Sequence, residues 1–275
     1  MTDPGGAVRP VRATLLPDAI GRPGPTAWHR LNPLTKLTVL LATTLAAFAL
    51  GGVVAPVVLL VVAVLVPAGV AGLLRPVARA AVLLSLPLAV SAALVNLLFT
   101  PGGATVLVQL GPLTVTAEGA GVAVTTVLRI LVVAGAAALF FQATRLPALV
   151  ADLERRGVSP RLTFVAASAV GAVPAMLERA RMITAAQRAR GLDTEGSTMR
   201  RLRGLVPIVA PTILGSIDEA EERSMALEAR GFTRPGRRTP LWTPPDAPAQ
   251  RAARWLLVAA AVIAVVLPVL GVRLP

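Results

Sequence analysis

Residues 119–141 read GAGVAVTTVLRILVVAGAAALFF, with Arg129 the single charge. About 20 consecutive apolar residues suffice to carry an α-helix across a bilayer. A barrel strand would be about half as long and would alternate apolar with polar residues. The stretch therefore predicts a membrane-spanning helix. Working outward, similar apolar runs cover residues 80–99, 53–74 and 34–50 on one side and 255–272 on the other. Residues 104–116 alternate weakly around Gly111-Pro112 and predict a short hairpin or a segment lying on the membrane surface. The predicted fold class is an all-α polytopic membrane protein with about five transmembrane helices. A long polar insert separates the fourth from the last. The run at 34–50 is near the lower length limit for crossing.

Composition agrees. Of 275 residues, 55% are hydrophobic and 15% charged, against about 45–50% and about 25% in soluble domains. Basic residues outnumber acidic ones 27 to 14, and Lys36 is the sole lysine. Only 3% of residues are aromatic and the arginines flank apolar runs, so cytoplasmic membrane margins explain the charge better than nucleic acid does. The absence of cysteine and the single histidine, His29, argue against thiolate chemistry and a protein metal centre. No cofactor is expected.

The chain then divides as follows. Residues 1–33 hold six prolines and form a flexible cytoplasmic lead. Residues 34–144 are a four-helix membrane region, 145–232 the helical insert, 233–253 a proline-rich linker and 254–275 the last transmembrane helix. The turn at Gly51-Gly52 and the loop at 100–117 carry no basic residue, whereas the lead, the turn at Arg75 and Arg79 and the insert do. The positive-inside rule places the N-terminus and the insert in the cytoplasm. From Arg145 to Arg203, 11 arginines face 5 acids, and nothing there looks long and apolar enough to span.

Two amphipathic helices are predicted in the insert. At 174–190, Val173, Met176, Leu177, Ala180, Ile183 and Thr184 share a face, with Glu178, Arg179, Arg181 and Arg188 opposite. At 211–230, Ile213, Ile217, Ala220, Ser224 and Leu227 recur at four and three residues. Both segments close on one tripeptide, Ala189-Arg190-Gly191 and Ala229-Arg230-Gly231. Two readings are open. Glycine and a cation on the last turn are ordinary C-capping. Alternatively Arg190 and Arg230 are exposed prongs able to grip a partner's carboxylate bidentately.

In that context the chain resembles the transmembrane T component of energy-coupling factor (ECF) transporters, the EcfT/CbiQ family. His29-Arg30-Leu31-Asn32-Pro33-Leu34-Thr35-Lys36 resembles the family's Asp-Pro-x-x-Lys lead into the first span, with Asn32 in place of Asp. Asn-Leu-Leu-Phe-Thr-Pro-Gly-Gly at 96–103 resembles the end of its third span. Leu146-Pro147 through Arg155-Arg156-Gly157-Val158-Ser159-Pro160-Arg161 resembles its first coupling helix, and the two Ala-Arg-Gly tripeptides resemble its paired signatures. The resemblance implies a non-catalytic scaffold. Its coupling helices would dock on two ABC-type ATPases through residues 189–191 and 229–231. Its membrane helices would grip a membrane-embedded S component that binds a vitamin or a metal ion.

Arg129 inside a span is costly, about 2.5–3.5 kcal/mol at mid-depth. It either snorkels or pairs with a carbonyl, or it anchors the helices as one arrangement, with Asn96 and Gln142 in a shared network. Glu118 is expected to complement a helix N-terminus. Trp28 is expected as an interfacial anchor, Pro87 and Pro207 as kinks. The arginine face of the insert also suits anionic lipid. Two competing functions remain. An intramembrane Mg-dependent transferase needs paired carboxylates, for which Asp218 to Glu222 is the densest group. A stand-alone secondary transporter needs intramembrane acids or an inverted repeat, and the spans contain neither. No nucleotide-binding loop precedes Lys36.

Overall fold

Asn32-Pro33 starts the first long helix. The Asn32 side chain accepts from the Leu34 N–H at 2.9 Å, and Pro33 occupies the first helical position, where no N–H is needed. A computed structural model of the chain describes residues 26–99, 105–110, 113–191, 198–232, 234 and 244–270. The lead before Thr26, the hairpin tip Gly111-Pro112 and much of the proline-rich linker lie outside the described residues.

The elements in order are α1 (Ala27–Arg30), α2 (Pro33–Ala49), α3 (Val54–Leu59), a π-wound segment (Leu60–Leu65), α4 (Val66–Val70), α5 (Leu74–Phe99), β1 (Val106–Leu110), β2 (Leu113–Thr116), α6 (Ala117–Ala143), α7 (Leu146–Arg155), α8 (Pro160–Ala189), α9 (Thr198–Ala229) and α10 (Pro248–Val269). The five apolar runs are mostly helical among the described residues, and the chain is an all-α polytopic membrane protein, with one hairpin among those residues. In that hairpin β1 and β2 pair antiparallel, with Leu110 opposite Leu113.

The chain forms two compact units, Met1–Arg155 with Thr243–Pro275, and Arg156–Trp242. In the first unit α5 and α6 are joined by the hairpin and pack together. The core is small-residue rich, with Ala68, Ala136, Ala138 and Ala143 around Val64, Val77 and Leu139. Small side chains let membrane helices approach closely, where dispersion replaces the absent hydrophobic drive. Gly135 shows how closely. A Cβ there would sit 2.9 Å from Val64 Cγ1, and Val64 is 1% exposed. Val64 belongs to the π-wound segment just before Pro67. Pro67 has no N–H, and the Val66 N–H bonds the Val61 carbonyl one residue further back than in an α-helix.

Several expected boundaries move. α5 begins at Leu74, so Arg75 and Pro76 lie in its first turn instead of breaking the chain. α10 begins at Pro248, within the stretch expected as linker. The insert helices start at Pro160 and Thr198, far ahead of 174 and 211. Pro174, Pro207 and Pro211 therefore lie inside helices, where each removes one intrahelical bond without ending the helix.

The expectation that nothing between Arg145 and Arg203 could span is also corrected. Pro160–Ala189 has the length and apolar content to cross, as do Leu74–Phe99, Ala117–Ala143 and Pro248–Leu267. α2 and Val54–Val70 fall just short of that length. α8 passes because its charges are concentrated after Leu177, leaving the first half almost purely apolar.

In the second unit α8 and α9 run antiparallel. Phe164 meets Phe232 with ring centroids 4.8 Å apart, and Arg179 meets Glu219 at 2.6 Å. The contact face differs from the one periodicity suggested. Arg179, expected opposite the apolar stripe, turns toward α9. It also reaches the Ser216 hydroxyl at 3.3 Å and lies 3.8 Å from where a Gly215 Cβ would be. The expected apolar stripe of α9 is instead open: Ile213 and Ile217 are exposed and line a shallow groove with Met176 and Ala220. The hydrogen bond from Arg179, its charge and that of Arg223 hold the Glu219 carboxyl below the usual carboxylate range. The pairing is thus complete at neutral pH and is lost as pH falls through that lowered value.

Candidate functional site

Both Ala-Arg-Gly tripeptides end a helix, and glycine is required in each. Gly191 has φ of 90° and Gly231 has φ of 71°, in the left-handed region that side chains disfavour. The Gly231 N–H bonds the Glu228 carbonyl and the Phe232 N–H bonds the Leu227 carbonyl, both at 2.9 Å. This is a complete Schellman cap. The Gly191 N–H makes the corresponding bond to the Arg188 carbonyl at 2.9 Å. Glycine therefore does the capping, and the arginines are left over. Arg190 and Arg230 are exposed, and neither has an ion-pair partner among the described residues. Ala189 and Ala229, the last helical residue of each, are also exposed. Because α8 and α9 are antiparallel, the two arginines stand at opposite ends of the pair.

Arg129, Lys36, Asn96 and Gln142 in the membrane unit each donate to a backbone carbonyl. Arg129 donates to the Leu50 carbonyl at 2.9 Å, at the C-terminus of α2. Lys36, near the start of α2, donates to the Ala143 carbonyl at 2.8 Å, at the C-terminus of α6. It also reaches the His29 carbonyl at 3.3 Å. Each of two antiparallel helices thus sends a cation to the other's C-terminal end, where partial negative charge gathers. Asn96 donates to Ala92 within α5 and Gln142 to Pro76. These bonds run to separate carbonyls, those of Ala92, Pro76 and Leu50.

Glu118 sits in the first turn of α6 and accepts from Thr105, at 2.7 Å from the hydroxyl. His29 contacts the Thr26 hydroxyl through Nδ1 at 2.7 Å. Partial burial and the nearby Lys36 charge hold its pKa below the ordinary imidazole range.

One cluster was not anticipated. Asp246, whose side chain is 2% exposed, accepts from Arg254 at 2.9 Å, Arg155 at 3.0 Å and Arg251 at 3.2 Å. Arg254 also donates to Thr35 Oγ1 at 3.0 Å, and the Asn32 N–H donates to Gln250 at 2.8 Å. The available signal was that Asp246 is the last acidic residue, alone in an arginine-rich stretch.

Comparison with known proteins agrees with this architecture. The family model CbiQ, described as a cobalt transport protein, matches residues 25–241. A Heliobacterium modesticaldum protein named energy-coupling factor transporter transmembrane protein EcfT is 30% identical over 221 residues, 74% of this chain and 79% of that one. A Bacillus selenitireducens protein of the same name is 31% identical over 226 residues, 76% of this chain and 81% of that one. A Bifidobacterium longum protein, provisionally named an ABC transporter ATP-binding protein, is 30% identical over 248 residues, 84% of this chain. This chain spans 31% of that protein's length. The chain belongs to the EcfT/CbiQ family of energy-coupling factor transporter transmembrane proteins.

Proposed function

We propose that this chain is the energy-coupling membrane subunit of an ECF-type ABC importer. It transmits the ATP-driven motion of two ABC-type ATPases to a membrane-embedded S component that binds a vitamin or a transition-metal ion. The observation that carries this reading is the pair of exposed arginines, each projecting past a glycine-capped helix end. The chain catalyses nothing itself. Its one lysine is buried against helix-end carbonyls, where it cannot serve a phosphate loop. The Bifidobacterium longum relative supports the ATPase partnership. There a segment like this chain belongs to a longer polypeptide named for ATP binding. The open apolar groove of Met176, Ile213, Ile217 and Ala220 suits a second partner, the S component. The deciding experiment is purification of the tagged chain in mild detergent. Two ATPase subunits and a small membrane protein should accompany it, and the chain stripped of them should hydrolyse no ATP. Hydrolysis by the chain alone would refute the scaffold reading.

Orientation belongs to the same proposal: N-terminus and insert cytoplasmic. The chain lacks cysteine, so single cysteines report cleanly. In intact cells an impermeant maleimide should label Ala117→Cys, at the exposed start of α6, and should spare Ser224→Cys on α9. Ser224→Cys should react only after permeabilisation. Labelling of Ser224→Cys in intact cells would show that α8 crosses the bilayer or that the whole orientation is reversed.

A further inference from the structure

We propose that Asp246 is a positioning residue for energy coupling: by holding Arg155 and Arg254 on one carboxylate, it latches together the point where the chain leaves the membrane unit and the point where it returns. This rests on the functional reading above. The membrane unit ends its first segment at Arg155 and resumes at Thr243, so Arg156–Trp242 is joined covalently to the membrane helices at those two junctions. Compliant junctions would absorb a displacement of that segment. Asp246 removes the compliance. Its Oδ2 accepts from Arg155, the last residue of α7, and both its oxygens accept from Arg254 on α10. The same Arg155 nitrogen lies 3.1 Å from Oδ1 of Asp152, whose side chain is fully buried. Arg254 carries the connection onward to Thr35, and Gln250 to the Asn32 N–H, so the first turn of α2 joins the same cluster.

The Asp246 carboxylate is buried although Arg155 and Arg251 reach it from the solvent side, and a buried carboxylate stripped of its cations is costly, which favours keeping those pairs in place. Simple fold maintenance needs only some tie between α10 and α2, which Arg254–Thr35 and Gln250–Asn32 already give. The Arg155 arm adds nothing to that tie. It adds the link between the outgoing and returning chain.

The test uses Arg155→Gln, which releases α7 and leaves the Asp246–Arg254 pair, together with Asp246→Asn. In the purified chain, spin labels at Pro147→Cys on α7 and Ala249→Cys on α10 lie on the two elements the latch joins, both within the membrane unit and both exposed. The distance distribution should be narrow in the parent protein and broad in both variants, with Arg155→Lys intermediate. In the reconstituted complex with its ATPases and S component, hydrolysis should persist while uptake per ATP falls on the order of tenfold. Should Asp246→Asn fail to fold, Arg155→Gln decides alone. Unchanged distance distributions, or hydrolysis and uptake falling in proportion, would overturn the latch. A parent chain that binds no ATPase would instead refute the functional reading. The label distances need no partner and separate the two failures.

Discussion

The double variant Arg190→Ala/Arg230→Ala should lose its ATPase partners in pull-down and lose transport in a reconstituted complex. Each arginine stands exposed beyond a helix end, with no ion-pair partner among the described residues of its own chain. Truncating one member of a desolvated charge pair across an interface costs about 2–5 kcal/mol, much of it from stranding the other charge. Either single substitution should therefore weaken docking by more than tenfold. The two losses should add, because opposite ends of an antiparallel pair share no contact. Lysine should restore only part of the affinity, since it lacks the planar fork. The alternative, that the arginines merely complement the helix dipole, predicts changes of about 0.3–1 kcal/mol in helix stability with assembly intact. The structure sharpens the contrast. The caps are made by backbone N–H groups around Gly191 and Gly231, so alanine at 190 or 230 leaves them standing. Wild-type pull-down and uptake by the double variant would end the docking hypothesis.

Lys36→Met is the second substitution with a large expected effect. Lys36 is 4% exposed and donates to two carbonyls, those of Ala143 and His29. A buried carbonyl left without a donor costs about 1–3 kcal/mol. Some of that is offset because the ammonium no longer has to be desolvated. The variant should lose about 2 kcal/mol, read as a lowered thermal midpoint in detergent. Arg129→Met strands the Leu50 carbonyl in the same way at the far end of the helix pair. Fourteen residues separate Lys36 from Leu50 and Arg129 from Ala143, so the two bonds lie about 21 Å apart at the ends of a common length. At that separation their effects should sum. A Lys36→Met protein that melts like the parent would show that the bond contributes nothing.

What the sequence reveals depends on how far apart the partners are. The five apolar runs were legible because length and apolarity are local properties, though the apolar half of α8 was not recognised, and residues 104–116 were legible only as a hairpin or a surface segment. The N-cap at Asn32 and the glycine ends at 191 and 231 were legible for the same reason, since every group involved is within five residues. Pro174 misled because a proline early in a periodic stretch resembles a first-turn residue, whereas here it sits in mid-helix. Arg179 misled because charge normally marks a solvent face, yet Glu219, 40 residues away, draws it into the α8–α9 contact. The partners of Arg129 and Lys36 are backbone carbonyls, which carry no residue signature at all. Asp246 was invisible for a different reason. Its partner Arg155 lies 91 residues away, and nothing in an isolated Asp says which of many arginines it will hold.

The short α2 has a consequence for the surrounding lipid. Seventeen residues rise about 25 Å, less than the roughly 30 Å hydrocarbon thickness of a typical membrane. α5, with 26 residues, rises about 39 Å. Its apolar run at 80–99 accounts for about 30 Å of that, a match to the bilayer, so of the two helices only α2 leaves a low flank. Leu41, Leu45 and Phe48 on α2 are exposed, so acyl chains adjoin the low side directly. Mismatch of this kind costs a fraction of a kcal/mol per Å, and the lipid relieves it by thinning beside the short helix. Long-chain or sterol-thickened membranes would strain that flank, and shorter acyl chains would relax it. The local thickness of the membrane is thus partly set by a helix that stops early.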